Sequence, residues 1–461
     1  MEVIINGKHY TPSQPRIAVA MITHRRPDLA QKNYAKWAER SPAGTPIIVV
    51  DDGSPKPPDC ATLILPENRG IAAASNAALG ELMKTKADHF FLVNDDVEPT
   101  GEDWHRPYTD AGEPHLMRIF TRNHWPKVLH QDENVTAYTA PRGCFLYVQR
   151  HVVDAVGGFY EGYGRYGGEH VDWSRRIHEA GHTAFMWQDA TQAHSIDCLD
   201  DGGRIKSTMD SAGKADLEAS YGVYESRAGD TDYVGYGWRD VVVGSWFTTK
   251  TDPQRNQKAK ASLDPVKAWA GSSSKWGDPI LFTDVDASLD NADVNVVNPH
   301  TGVYGERWVH AYRWLRDHPE VRFAWLTDTT DVTCLHDPFT IQRGTLYTGS
   351  EPALVGMEWM RAHHTGRQYE TLWSEHSHKP LLNAGLLGGE RHIVMDVVSR
   401  IMRILFDQDP HSQVEHNPDE LDMAAFNLAA YESGYPIITG DTVHTRFRAN
   451  EKSTFSMWAH K

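Results

Sequence analysis

The sequence predicts an α/β protein built on two mainly parallel sheets in tandem. Short apolar runs alternate with segments of helical period. In each half, two of those runs end in aspartates, and the same order restarts after a stretch rich in Gly, Asp, Ser and Tyr. Strands joined through helices of this length make βαβ units and parallel sheets. Such sheets bind ligands at the carboxyl ends of their strands.

In the first half, residues 16–23 (RIAVAMIT) read as a buried strand closed by His24-Arg25-Arg26-Pro27. Residues 28–40 read as a helix with Ala30, Tyr34, Trp37 and Ala38 on one face. A second strand over 47–50 runs into Asp51-Asp52-Gly53-Ser54, and 63–65 makes a short third. An Ala-rich helix over 70–86 leads to a fourth strand, 90–93, which ends in Asn94-Asp95-Asp96. Residues 201–237 hold no sustained apolar period and read as a connector, which leaves domains over 1–200 and 238–461.

The second half repeats the order. Strands are expected over 241–248, 280–282, 294–297 and 323–326, and helices over 257–270 and 306–318. The second strand ends at Asp284 and the fourth in Asp328-Thr329-Thr330-Asp331. Asp96 follows Asp52 by 44 residues, and Asp328 follows Asp284 by 44, which supports one architecture used twice.

Composition narrows the function. A net charge of −16 opposes tight binding to phosphate backbones or anionic lipid, so nucleic acid is a less expected partner. The 4 cysteines form no CxxC pair, which argues against a disulfide framework and for a reducing, cytoplasmic setting. There is no signal-peptide pattern and no run long enough to cross a bilayer, so no integral membrane contact is expected. No GxxxxGK(S/T) or GxGxxG follows a strand. The nearest approach to a phosphohydrolase DxDx(T/V) motif, Asp284-Val285-Asp286-Ala287-Ser288, has Ser in its last place and follows the second strand of its half rather than the first.

An acid after strand two and paired acids after strand four suit one task. The first can accept hydrogen bonds from a ribose or a base edge. The second can hold a hard cation against a diphosphate. Solvated turns are the alternative. Five stretches appear in order: ITHRRPDL, VVDDGS, ENRGIAAASNAAL, FFLVNDDVEP and GGFYEGYGRYGGEHVDWSRRIHEAG, followed by AHSIDC. Through them residues 16–200 resemble a family 2 glycosyltransferase domain of the GT-A fold. That resemblance implies that Thr23 and Asp52 line a nucleoside pocket and that Asn68, Arg69 and Asn76 help bind a nucleotide sugar. It implies that Asp95 and Asp96 carry a metal-bridged diphosphate, with His194 a candidate further ligand. Glu169, His170 and Asp172 are the candidate acid–base residues. His170 stands where many inverting relatives have Asp, which leaves the base and the stereochemistry open.

The second half resembles GT-A glycosyltransferases more loosely, through WLTDTTDVTCLHDPF, NAGLLGG and ELDMAAFN. The resemblance implies Asp328, Asp331 and a late His444 as metal ligands. Asn383 and Gly385 would line the donor sugar, Asp284 would serve the donor, and Asp422 would be catalytic. A tight turn at NAGLLGG and ordinary core packing around Met423 and Phe426 are the plain alternatives. The expected chemistry is a bifunctional transferase of two tandem GT-A domains. It would use a UDP- or GDP-sugar with Mn²⁺ or Mg²⁺, and add two sugars successively to a glycan or protein acceptor. The alternative is one catalytic domain beside a degenerate glycan-binding one.

Overall fold

The computed structural model describes residues 3–5, 8–10, 15–120, 126–199, 211–254, 256–406, 421–446 and 452–460. The chain divides into two compact units, Met1–Trp238 and Arg239–Lys461.

Unit 1 is built on a six-stranded sheet. Its strands are β1 (Ile17–Thr23), β2 (Ile47–Asp51), β3 (Leu63–Ile64), β4 (His89–Asn94), β5 (His115–Met117) and β6 (Phe145–Gln149), in the order β3-β2-β1-β4-β6-β5. The pairs among β1–β4 are parallel, and β6 runs antiparallel to both its neighbours. β1 is apolar and nearly all buried, as a central strand covered on both faces must be. Helix α1 (Pro27–Arg40) starts on a proline, whose fixed φ suits the first helical turn, and buries Ala30 and Trp37. Helix α2 (Ile71–Lys84) is small-residued and buried over most of its length, so it seats closely on β1 and β2. It begins after Gly70, whose φ is 91° and where a Cβ would lie 2.5 Å from the Gly164 carbonyl oxygen; only glycine fits there.

Two further elements of unit 1 matter for the site. Helix α3 (Glu169–Glu179) carries the candidate acid–base residues. Helix α4 (Ser211–Ser226) lies inside the expected connector. Sequence reasoning missed it because its residues give only a weak apolar stripe. It packs on the Gly164–Gly168 turn: Arg165 pairs with Asp216 at 3.1 Å, and a Cβ on Gly167 would lie 2.6 Å from Leu217. The described part of the connector therefore belongs to unit 1. The Asp200–Ser207 stretch lies outside the described residues.

Unit 2 repeats the plan in a seven-stranded sheet. Its strands are β7 (Arg239–Trp246), β8 (Asp278–Thr283), β9 (Asp293–Val296), β10 (Val321–Thr327), β11 (Leu346–Leu354), β12 (Pro380–Glu390) and β13 (Ile437–Ile438). The order is β9-β8-β7-β10-β12-β11-β13, with β7–β10 parallel and β12 antiparallel to β10 and β11. Both sheets thus share the order three-two-one-four followed by an antiparallel strand. Helices α5 (Val303–Asp317), α6 (Arg391–Phe406) and α7 (Met423–Tyr431) pack on one face, around Trp308, Leu315, Val397 and Phe426.

One expectation and one of the plain alternatives fail here. The helix over 257–270 is instead a strand pair (Thr251–Asp252 with Gln257–Lys258), a 3₁₀ turn at Asp264–Val266 and a helix of only Lys267–Ser273. Pro265 cannot sit inside a helix without losing a hydrogen bond, so the turn restarts there. NAGLLGG is not a tight turn but the middle of β12. Its glycines admit neighbours: a Cβ on Gly388 would lie 2.4 Å from the Trp325 ring.

Among the described residues, no helix is long and apolar enough to cross a membrane.

Candidate functional site

The carboxyl ends of β7 and β10 open into a cleft of about 820 Å³. β7 leads to Trp246 and Phe247, and β10 delivers Asp328 and Asp331. β12 adds Asn383 and Gly385, α5 adds Tyr304 and Arg307, and the N-terminus of α7 adds Asp422. Five of the expected residues (Asp328, Asp331, Asn383, Gly385 and Asp422) line this one space. Five acids in its lining, with Asp252 and Glu351 the others, face three bases, Lys250, Lys258 and Arg307.

Arg307 ties the site together. It donates from Nη1 to Asp328 Oδ1 at 2.9 Å and from Nε to Asp422 Oδ2 at 3.0 Å, and its guanidinium lies 4.5 Å over the Trp308 ring. Trp308 Nε1 donates to the same Asp422 oxygen at 2.8 Å. Burial alone would lower the Arg307 pKa, but Asp422 and Asp328 outweigh it and raise it. No signal in the sequence marks this arginine, because it sits on a helix legible only through its apolar face. Asn383 donates to Glu351 at 3.0 Å and accepts from the Gly385 N–H at 2.8 Å. The Asp328 N–H donates to the Gly385 carbonyl at 2.9 Å, and a Cβ on Gly385 would lie 2.5 Å from Asp328 Oδ2. A side chain there would displace the carboxylate.

Two expected residues do other work. Asp284 accepts from Thr248 and Thr249 through both their N–H and hydroxyl groups, so it braces the loop after β7. Desolvation raises its pKa, but those four donors outweigh it and lower it. His444 is buried with both ring nitrogens engaged: Nε2 accepts from the Ser350 N–H at 2.9 Å and Nδ1 donates to the Thr445 carbonyl at 2.7 Å. It has no lone pair for a metal. The late histidine in the cleft is His460, on a strand (Trp458–His460) that pairs with Val332–Cys334 and sets it opposite Val332, beside Asp331. Desolvation lowers its pKa to about 4, so it is neutral at pH 7. DTVHTRF drew attention to the wrong histidine because strand pairing across more than a hundred residues is invisible to local pattern.

The donor set of unit 2 fits a divalent cation in one way only. Among the described residues no three His, Cys, Asp or Glu side chains converge to hold a metal by themselves. Hard cations are commonly held by one or two carboxylates and completed by substrate phosphates and water. Asp328 and Asp331, in an acid-rich cleft beside a neutral imidazole, are such a set: Arg307 takes Asp328 Oδ1, but the Asp328 side chain stays 39% exposed, whereas Asp95 is fully buried under its guanidinium.

Unit 1 is different. Asp95 is fully buried; Thr23 donates to it at 2.7 Å, and Arg26 donates from Nε at 3.1 Å and makes a second contact from Nη2. Arg26 Nη1 also lies 3.6 Å from Asp96 Oδ2. A guanidinium thus sits between the paired acids where a cation was expected. Desolvation is the strongest influence on Asp95 and raises its carboxyl to about 7, against Arg26 and Thr23. His194 is exposed and lies in the turn before the strand Ile196–Cys198. Leu199, not His194, pairs with Asp96, and Ser195 pairs with Thr100, so His194 falls beyond the far end of this pairing from the Asp95–Asp96 pair. These residues do not fit a metal.

The remaining unit 1 candidates are mostly consumed internally. Asp52 accepts from the N–H groups of Arg69 (2.8 Å) and Gly70 (3.0 Å), and burial raises its pKa against them. Asn68 contacts His24 Nε2 at 2.8 Å, and Arg69 pairs with Glu161 at 2.9 Å. Asn76 holds the Phe159 backbone through both its amide atoms. Asp172 is fully buried among Arg175 (2.7 Å), Arg176 (3.2 Å) and Arg227 (3.3 Å), which rules it out as an accessible base. Glu169 and His170 contact each other at 3.1 Å beside a cavity of only about 10 Å³ at the ends of β1 and β4. Desolvation raises the Glu169 pKa, but the bond and charge of His170 and nearby backbone N–H groups outweigh it and lower it.

Compared with known proteins, the chain matches no family model, and no curated protein matches it.

Proposed function

We propose that the chain is a glycosyltransferase moving a sugar from a UDP- or GDP-linked donor to an acceptor hydroxyl, with the transfer carried by unit 2. The observation that carries this reading is the unit 2 cleft, which collects Asp328, Asp331, Asn383, Gly385 and Asp422 from three separate stretches of sequence. Its volume suits a nucleotide sugar, and Trp246, Tyr304 and Trp359 give it flat apolar walls. Asp328 and Asp331 are the residues that would hold Mn²⁺ or Mg²⁺, whose contribution would be to stabilise charge on the departing diphosphate. Asp422 is anchored through Oδ2 by Arg307 and Trp308, and Oδ1 makes no hydrogen bond among the described residues. That oxygen is the candidate acceptor of the hydroxyl proton, since a base must be fixed within reach of the proton it takes.

The sequence also suggests a second transferase in unit 1 and two successive additions. The guanidinium between Asp95 and Asp96, and the internal bonds of Asn76 and Asp172, favour the other version: a unit 1 that binds acceptor or glycan without transferring. The test replaces Asp328 and Asp331 together by Asn and, separately, Asp95 and Asp96. Release of UDP or GDP from a panel of nucleotide sugars with Mn²⁺ is then measured. Loss only with the first pair is expected. Unchanged release in the Asp328/Asp331 double variant refutes the assignment to unit 2.

A further inference from the structure

One wall of the unit 2 cleft runs from Asp328 through Gly385 and Asn383 to Glu351. A Cβ on Gly385 would lie 2.5 Å from Asp328 Oδ2 and 2.9 Å from Asn383 Oδ1, so these two oxygens flank one small gap. The Gly385 N–H donates to Asn383 Oδ1 at 2.8 Å, which fixes the amide and turns its Nδ2 to Glu351 Oε1 at 3.0 Å. Glu351 owes its place to a slip in register. Ser350 pairs with Leu382 and Leu354 with Pro380, so β11 sets three residues against the single Leu381 of β12. Such irregularities re-aim side chains beside active sites, and Glu351 lines the cleft half-buried.

Among the described residues Asn383 is the one hydrogen-bond partner of this carboxylate, and it enters no ion pair. Arg307, the arginine of the cleft, is committed to Asp328 and Asp422. A carboxylate anchored through one oxygen by a neutral amide accepts from hydroxyl donors and repels anions. Trp359 lines the same cleft, with its ring braced by His363, which stacks on it at 4.6 Å and 25°. A flat aromatic face beside a carboxylate–amide pair matches a pyranose, whose C–H bonds form an apolar face and whose hydroxyls radiate from the rim.

We infer that Glu351 is a specificity-determining residue of this cleft, accepting hydrogen bonds from the hydroxyls of an uncharged hexose held with Asn383 and Trp359, and excluding uronic acids. A carboxylate on the sugar would meet Glu351 with no cation paired to it, and like charges brought together select against the wrong ligand. Asn383 Oδ1 stands beside Asp328 Oδ2 across the Gly385 gap, so the hexose is the one joined to the diphosphate. Its place in the donor rests on the transferase reading; recognition of the hexose itself does not.

The test uses the full chain and has two arms. The first needs no transfer: saturation-transfer NMR with the methyl glycosides of glucose, galactose and mannose, and with methyl glucuronide. The native chain is expected to bind at least one neutral glycoside and not the glucuronide, with binding about tenfold weaker in Glu351→Gln and lost in Trp359→Ala. No neutral glycoside bound, equal binding by the native chain and Glu351→Gln, or a glucuronide bound as tightly as the neutral sugars each overturns the proposal. The second arm measures nucleotide release with Mn²⁺ from UDP- and GDP-hexoses and from UDP-glucuronate. Glu351→Gln should lower kcat/KM for the best uncharged donor about tenfold, narrow the preference over UDP-glucuronate, and keep native affinity for the free nucleoside diphosphate. Native rates and native discrimination in Glu351→Gln would also overturn it. A native chain that binds the neutral glycoside as expected and releases nucleotide from no donor would sink the transferase reading and leave the hexose site standing.

Discussion

Asp172→Asn separates a structural role from a chemical one. In the folded chain this carboxylate is 0% exposed and neutralises the guanidinium groups of Arg175 and Arg176, one turn further along α3, and of Arg227 beyond α4. Arg176 is itself 0% exposed, with its remaining bonds going to backbone carbonyls including that of Val156 at 2.8 Å. An amide in the same place removes the negative charge and turns an N–H₂ group toward one of those cations. Breaking a buried pair by deleting one partner costs about 3–5 kcal/mol, because the other charge stays buried and uncompensated. Arg175 keeps Glu179 at 2.6 Å and Arg227 keeps Asp230 at 2.8 Å, which places the loss toward the lower end. At about 2–4 °C per kcal/mol for a unit of this size, the unit 1 melting transition should fall by about 6–12 °C. Differential scanning calorimetry of the whole chain reads this directly. An unmoved transition combined with abolished sugar transfer would refute the reasoning and return Asp172 to the list of bases.

Gly385→Ala sets a methyl against Asp328 Oδ2, so UDP affinity should drop about tenfold while the melting temperature changes by a few degrees at most; isothermal titration checks the first and scanning calorimetry the second, each against the native chain. His444→Ala removes the partners of the Ser350 N–H and Thr445 carbonyl, so it should lower stability by about 1–3 kcal/mol and leave Mn²⁺ affinity unchanged, whereas His460→Ala should weaken Mn²⁺ binding in the presence of UDP. Acid should weaken unit 2. His364 and His460 titrate near 4 when folded against an ordinary 6.5, so the unfolded chain binds more protons and stability falls as pH drops from about 6.5 to 4. Glu306, held near 2 against an ordinary 4.5, extends the loss below that window. Urea midpoints from pH 7.5 to 4 measure it, and a flat midpoint between pH 6.5 and 5 contradicts the assignment.

Much of the scaffold was legible because its signals are local. RIAVAMIT, PIIVVD and FAWLT are apolar runs of strand length bounded by turn chemistry, and each is a central strand. The acids that follow them were legible for the same reason, and in unit 2 the strand order brings Asp328 and Asp331 to one cleft with Asn383 and Asp422. What each acid does there was not legible, because its partners are far away in sequence. Arg26 reaches Asp95 across 69 residues, Arg307 reaches Asp422 across 115, and Arg227 reaches Asp172 across 55. A carboxylate at a strand end looks the same in sequence whether it awaits a cation or already holds a guanidinium. Helix α4 stayed hidden for the opposite reason: it shows little apolar stripe of its own and gains its place from the glycine turn it covers.

That helix bears on how the protein can be divided. A chain cut after residue 200, where the recognisable motifs end, would lose Asp216 and Leu217 from the Gly164–Gly168 turn and Arg227 from the buried carboxylate of α3. The fragment would keep every expected site residue of unit 1 and still lack part of its own interior. Division after Trp238 preserves those contacts, so the stretch that looks like a tether is the closing segment of the first unit.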